Sequence, residues 1–386
     1  MSAGDVSLPE DARRWIEETT GGQVVHAASH HAGASRSAWN VDLESGRTRR
    51  ALFLLRDKGQ GGGSQRDAAV LRALHSTAIP VPKVVACSGA EANALLLLER
   101  VEGRSDFPTV DAEHERAPTA RHLMALTADL HALDIEKLEI PHLSVPERPA
   151  DCAHALLTPA RAACKALGDA ADPFFAFALG WLEAHVPESV NRYALVHSDM
   201  GPGNFLYVGG RVTAIVDWEV AHFGDPMEDL AAISVRDMAT PVGSLEERFR
   251  EYEAAGGGGV DLERVHYYRA LVLVRNSLLI GLGLAHPSED FNVEEMTMYQ
   301  TLLQRAAALV LCDNLGVARP TADELAGQDS ADDGARDTTT ASDVGDLATL
   351  QATGRLHARR MLRVAEGRRA LMGPLADRLP QELGAS

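Results

Sequence analysis

Residues 195–219 read LVHSDMGPGNFLYVGGRVTAIVDWE, and this stretch decides how the chain is understood. The apolar runs ALV and VTAIV flank a polar loop that carries His197, Asp199 and Asn204, and the second run ends at Asp217. Paired glycines adopt the positive φ that tight hairpins need, so Gly209–Gly210 predicts a hairpin turn. Carboxylates at the ends of buried strands are costly unless something charged meets them there. Asp199 and Asn204, five residues apart, can aim into one cleft, and the returning strand brings Asp217 beside Asn204. Carboxylate and amide oxygens with room for water suit Mg2+ better than zinc or copper. Asp199 is then left to orient or deprotonate a hydroxyl, which is the division of labour of phosphoryl transfer. The bland alternative is an Asx-rich turn network.

Outward from this stretch the chain changes character twice. The first hundred residues alternate strand-like runs with turns, AWNVDL (38–43) and RALFLLR (50–56) among them, before a helix over 65–77. Pro80 and Pro82 force an extended path, and ALLLLERV (94–101) reads as a buried strand. From about residue 110 helices dominate; Leu123, Leu126 and Leu130 fall on one face of the helix over 120–133. The expectation is an α+β protein in three parts. Residues 1–100 form a small β-rich lobe with a connector near 99–102, residues 103–320 a larger, mainly helical lobe, and 321–386 a linker and basic helix. The linker, 326–346, is rich in aspartate and lacks periodicity; the helix, 347–373, carries Arg355, Arg359, Arg360, Arg363, Arg368 and Arg369.

Composition narrows the partners. A chain of 386 residues with net charge −18 is a poor match for a phosphate backbone, so no nucleic-acid partner is expected. Four scattered cysteines without a CxxC pair read as reduced thiols, and MSAGDVSLPEDARRW lacks the basic and apolar regions of a signal peptide. The apolar stretch 267–285 is broken by Arg269, Arg275 and Asn276 and reads as a buried core helix. A cytoplasmic protein with no membrane partner is expected, self-association being left open. GQGGGS (59–64) lacks the GK[ST] ending of a phosphate cradle and reads as a flexible connection. His30, His31, His114, His122 and His131 read as surface or core histidines rather than metal ligands. Asp225 and Asp261 read as helix caps.

Taken together, HSDMGPGN, IVDWE and GDPMEDLA resemble the aminoglycoside phosphotransferase and choline kinase-like family of small-molecule kinases, which share the two-lobed protein kinase-like fold. The order and spacing follow the family pattern H-G-D-x4-N, D-W/F-E and G-D-P-x2-D-L, with Ser198 in place of the usual glycine, and the resemblance covers about residues 20–318. It implies Asp199 as general base, Asn204 and Asp217 as Mg2+ ligands, His197 as a prop of the loop and Asp229 as its support, with Glu219 a weaker metal or substrate candidate. In the first lobe it implies a nucleotide-covering hairpin over 30–43, with Gly33, Ser35 and Arg36 near the phosphates of ATP. Arg56 takes the place of the family's phosphate-contacting cation, with Asp67 to orient it and Lys58 as a substitute, and the backbone of Glu99 to Val101 would receive adenine.

The implied activity is ATP-dependent transfer of the γ-phosphate to a hydroxyl of a small molecule. Aminoglycosides, sugars, amino alcohols and hydroxyacyl thioesters all stay open as acceptors, although VHYYRALVLVRNSLLIG is closer to the acyl-CoA-associated branch. A catalytically impaired nucleotide-binding regulator, suggested by Ser198 and Asp67, and a metal-dependent phosphohydrolase are the alternatives.

Overall fold

The computed structural model describes residues 7–30, 36–58, 63–89, 93–108, 112–168, 171–286 and 293–315. Gly33, Ser35, most of GQGGGS and the expected linker and basic helix lie outside the described residues. The fold is α+β and protein kinase-like, with a β-rich N-terminal part and a helical C-terminal part.

Helix α1 (Glu10–Thr20) is followed by strands β1 (Gln23–His30), β2 (Arg36–Ser45) and β3 (Thr48–Asp57), helix α2 (Gly63–Leu74), and strands β4 (Val84–Cys87) and β5 (Leu95–Glu99). The strands form one antiparallel sheet in the order β1-β2-β3-β5-β4. Successive side chains of a strand point to opposite faces, so each face draws on alternate residues. One face presents Trp39, Val41, Leu43, Leu52, Leu54 and Leu97 to Ala12 and Ile16 of α1. Burying Ile16 completely contributes roughly 1.5–3 kcal/mol. Helix α2 packs on β3, β4 and β5 and buries Val70, Leu71 and Leu74.

Helix α3 (Glu113–Ala132) buries Leu123, Leu126 and Leu130, as the heptad-like spacing predicts. After α4 (Pro149–Leu167) and α5 (Pro173–Ala184) come β6 (Ala194–Val196), β7 (Phe205–Val208), β8 (Arg211–Ile215) and β9 (His222–Gly224). Strands β7 and β8 form the expected hairpin, with Gly209 and Gly210 at φ 54° and 80°. Strand β6 pairs with β9. Helices α6 (Met227–Asp237), α7 (Leu245–Ala254), α8 (Leu262–Ala285) and α9 (Val293–Asn314) complete the chain's described part. Asp225 accepts the amide of Met227 at 3.1 Å and Asp261 that of Arg264 at 3.1 Å, so both act as caps.

Contacts divide the chain into two compact units. One takes the described residues up to Pro146 together with Asn191–Val260; the other takes Glu147–Val190 and the described residues from Asp261 onward. The first unit therefore holds the sheet, α3, both strand pairs, α6 and α7, a different grouping from a boundary at 100–103. The second is made of α4, α5, α8 and α9, with α8 packed on the other three. Helix α8 is long and apolar enough to cross a membrane by length and composition, yet 56% of its most apolar window is buried inside the protein, the pattern of a core helix.

Candidate functional site

The loop between β6 and β7 is built around two buried polar groups. The Asp229 carboxylate, on the first turn of α6, accepts the amides of His197 at 2.9 Å and Ser198 at 2.8 Å, and the His131 ring at 3.0 Å. Burial pushes this carboxyl up, but the hydrogen bond and charge of His131, with the amide of His197, outweigh it and hold Asp229 below its ordinary value of 3.8. His131 bonds in turn to the Tyr252 hydroxyl at 2.9 Å, and burial raises that phenol to about 12. The His197 ring spans the loop: its Nδ1 accepts the Asp199 amide at 3.3 Å, so its Nε2 carries the proton that bonds Val216 oxygen at 2.9 Å. Trp218, fully buried, packs against that ring at 4.6 Å.

Ser198 sits at φ 68°, in the left-handed region. That explains a glycine preference at this position, since a side chain there costs roughly 1–2 kcal/mol. The substitution leaves the loop's anchoring amide in place.

Asp199, Asn204 and Asp217 are brought together as their spacing suggested. Asn204 donates its amide to the Asp199 backbone oxygen at 2.8 Å and to Asp199 Oδ2 at 2.9 Å. Its backbone oxygen accepts the Val216 amide at 3.0 Å, which sets Asp217 next to it. Asp217 takes φ 70°, a conformation that Asp tolerates better than most residues. A residue that the spacing did not reveal completes the loop. Arg236 of α6 grips Asp199 with Nε on Oδ1 at 2.9 Å and Nη2 on Oδ2 at 2.5 Å, and its Nη1 bonds Pro202 oxygen at 2.7 Å. The only sequence trace of this contact is the pair Gly201 and Gly203, which line the arginine's path.

In the first lobe the structure departs from the expected pairing of Arg56 with Asp67. Arg56 shares a sheet face with Leu52 and Leu54, so it points toward α1 and pairs with Asp11 at 3.0 Å. Asp67 does not orient Arg56 but pairs with Arg36 at 2.7 Å. Arg36 lies directly across the ladder from Asp57 on the opposite face, at 3.2 Å, and also reaches Glu219 at 3.0 Å and Asp217 at 3.5 Å. The expected pair thus gives way to one buried guanidinium among four carboxylates. Burial opposes the charge on Arg36, but Asp67, Glu219 and Asp217 raise its pKa further. Burial and the nearby Asp217 push the Asp67 carboxyl upward, against the pull of Arg36. Asp57 also accepts both the amide and the hydroxyl of Ser64, at 3.1 and 2.6 Å, which pins the start of α2 to the end of β3.

The oxygen set fits a hard divalent cation. Asn204 commits its amide nitrogen to Asp199, which leaves its Oδ1 as the acceptor end, and one guanidinium touches both Asp217 and Glu219, which brings these two carboxylates close. Among the described residues, no three His, Cys, Asp or Glu side chains form a metal cage by themselves. Mg2+ commonly binds with one or two carboxylates and completes its shell with substrate phosphates.

The connector after β5 is pinned on both sides. The amide of Glu99 bonds Lys83 oxygen and that of Arg100 bonds Ala51 oxygen, while Thr213 hydroxyl bonds Glu102 oxygen at 2.8 Å. Arg104 exchanges two backbone bonds with Tyr207 and stacks over its ring at 5.4 Å. Gly103, at φ 151°, permits this approach, since a Cβ there would lie 2.8 Å from Thr213 Oγ1. The Glu99 side chain leans toward Arg50 at 3.5 Å and Lys83 at 3.7 Å.

Residues 27–268 match the phosphotransferase enzyme family, a span that takes in both the sheet and the loop just described. The chain belongs to this family. Among solved structures, it superposes on a thermostable mutant of an aminoglycoside phosphotransferase in ternary complex with AMP-PNP and hygromycin B, with TM-score 0.56, 19% identity, and coverage of 77% of this chain and 99% of that one. It superposes likewise on an aminoglycoside-3'-phosphotransferase of type VIII, with TM-score 0.52, 27% identity and coverage of 69% and 98%. Among curated proteins it is 32% identical to acyl-CoA dehydrogenase family member 11 of Rattus norvegicus over 179 residues, or 44% of this chain, and 27% identical to that of Homo sapiens. The match spans 22% of the length of those relatives. This phosphotransferase family sits on the kinase-like fold, which accounts for the loop's architecture.

Proposed function

We propose that this phosphotransferase moves the γ-phosphoryl group of ATP to a hydroxyl of a small metabolic molecule. One observation carries the reading: hydrogen bonds tie Asn204 both to Asp199 and to the backbone just past β8, so Asp199, Asn204 and Asp217 are held together. Asp199 would receive the hydroxyl proton, a contribution of roughly 10²–10⁴ in rate. Asn204 and Asp217, with Glu219 beside them, would hold Mg2+, which when bound neutralises the charge of the phosphate oxygens. Arg36, rather than Arg56, would meet those phosphates; its contacts with Asp217 and Glu219 support this, while Arg56 pairs with Asp11 of α1. The Val101 amide, the first past β5 that makes no backbone bond among the described residues, would receive adenine. The same reading places the protein in the cytoplasm.

The acceptor is proposed from the relatives. A match to a protein named for acyl-CoA dehydrogenation favours a hydroxyacyl thioester or related metabolite over an antibiotic. Asp199→Asn is expected to bind Mg·ATP within about twofold of the wild type by calorimetry and to lose at least ~10² in transfer to hydroxyacyl thioesters. Absence of Mg·ATP binding by the wild type, or unchanged turnover in the variant, would overturn the proposal. Binding without product across sugars, amino alcohols, aminoglycosides and thioesters would favour the nucleotide-binding regulator instead.

A further inference from the structure

We infer that Arg236 is a positioning residue for Asp199, holding the carboxylate at one angle for proton transfer; this rests on reading Asp199 as the base. Helix α6 touches the loop twice on one face. Asp229, on its first turn, holds the amides of residues 197 and 198, and Arg236, about two turns later, holds the side chain of Asp199 and the oxygen of Pro202. Residues seven apart on a helix share a face, so one rigid element sets both the backbone and the carboxylate of the loop.

The loop is shaped to admit the arginine. A Cβ on Gly201 would sit 2.9 Å from Arg236 Cδ, and one on Gly203 would sit 3.1 Å from Nη1, while both glycines have positive φ. The fork engages both carboxylate oxygens, and the Asn204 amide meets Oδ2 from another direction. An Asp side chain can otherwise turn about two torsions, so donors on both oxygens remove the freedom that would blur its aim. The pair lies partly in solvent, with side chains 28% and 34% exposed, where an ion pair adds little to stability. So much construction for so small a stabilising return points to geometry as its purpose. A lysine could keep the charge but offers no planar fork.

The test uses the full-length chain with Mg·ATP, following phosphate release to water and transfer to the acceptor that the wild type turns over. Arg236→Ala is expected to lower kcat by roughly 10²-fold and Arg236→Lys to restore less than a tenth of that loss, with KM for ATP within about twofold in both. Added guanidinium ion should recover part of the Arg236→Ala rate. In an Asp199→Asn background, Arg236→Ala should cost less than about threefold, because its effect runs through the missing carboxylate. Wild-type kcat in Arg236→Lys, or an undiminished loss in the Asp199→Asn background, would overturn the inference. Calorimetry of Mg·ATP on the wild type keeps this outcome separate from failure of the kinase reading itself.

Discussion

Arg36 and Arg56 occupy adjacent rungs of the β2–β3 ladder, Arg36 opposite Asp57 and Arg56 opposite Ser37, yet their surroundings have little in common. The Arg36 side chain is 4% exposed and lies among Asp57, Asp67, Asp217 and Glu219. Arg56 is 24% exposed and meets one aspartate that is itself 66% exposed. The difference comes from the pleat, which sends neighbouring residues to opposite faces. One face of the sheet meets the apolar side of α1, while on the other Arg36 meets Asp67 of α2 and the carboxylates of Asp217 and Glu219 just past β8. A cation is expected to be worth little on the first and much more on the second.

The strongest way to break this contrast is Arg36→Ala. Removing one partner of a buried ion pair costs about 3–5 kcal/mol, so denaturant unfolding should show a loss of that size. A loss below about 1 kcal/mol would mean that the carboxylates around it are well solvated, and the two arginines would then be alike. A second test compares buried carboxylates whose pKa values move in opposite directions, Asp229 downward and Asp67 upward. A depressed carboxyl contributes stability above its unfolded value of 3.8 and loses it as pH falls through the lower folded value. Asp229→Asn should therefore cost about 1.5–3 kcal/mol at neutral pH, and the gap to the wild type should narrow as pH falls below 3.8. A gap that stays constant in an acid series of unfolding curves would show that His131 and the loop amides do not favour the charged form. The smallest effect is expected from Arg56→Ala, about 0.2–1 kcal/mol, fading with added salt and leaving KM for ATP unchanged. A large rise in KM would return the phosphate-binding role to Arg56.

Much of the catalytic region was legible because its determinants are close in sequence. The loop residues 197, 199 and 204 and residue 217, two past the end of β8, are joined by a two-glycine hairpin, and short loops leave few ways to arrange them. The burial of Leu123, Leu126 and Leu130 followed from periodicity in the same manner, whereas the strand order β1-β2-β3-β5-β4 left no mark in the pattern. The pairing of Arg56 with Asp67 was misread because pattern alone does not say which face of a buried strand meets which neighbour. That was settled by α1, a helix whose role in covering the sheet no motif announced. Arg236 escaped notice for a different reason. Its bond to Asp199 crosses 37 residues and leaves no periodic mark, only two glycines with an unexplained need for space.

The attachments of the sheet to the β7–β8 hairpin have a mechanical consequence. Pro80 oxygen is bonded to the Ile215 amide at 2.8 Å, and Val101 lies between Arg100, tied to the sheet, and Glu102, tied to the hairpin. With the backbone bond of Trp218 to Asp67, these anchorages tie the sheet and α2 to the hairpin at several points rather than at one. Arg36 lies at the far end of the β2–β3 ladder, about 17 Å along the strand from the rung of Leu52 and Glu99. Its contacts with Asp217 and Glu219 fasten that far end as well, so a cation bound by those carboxylates would compete with Arg36 for the same oxygens.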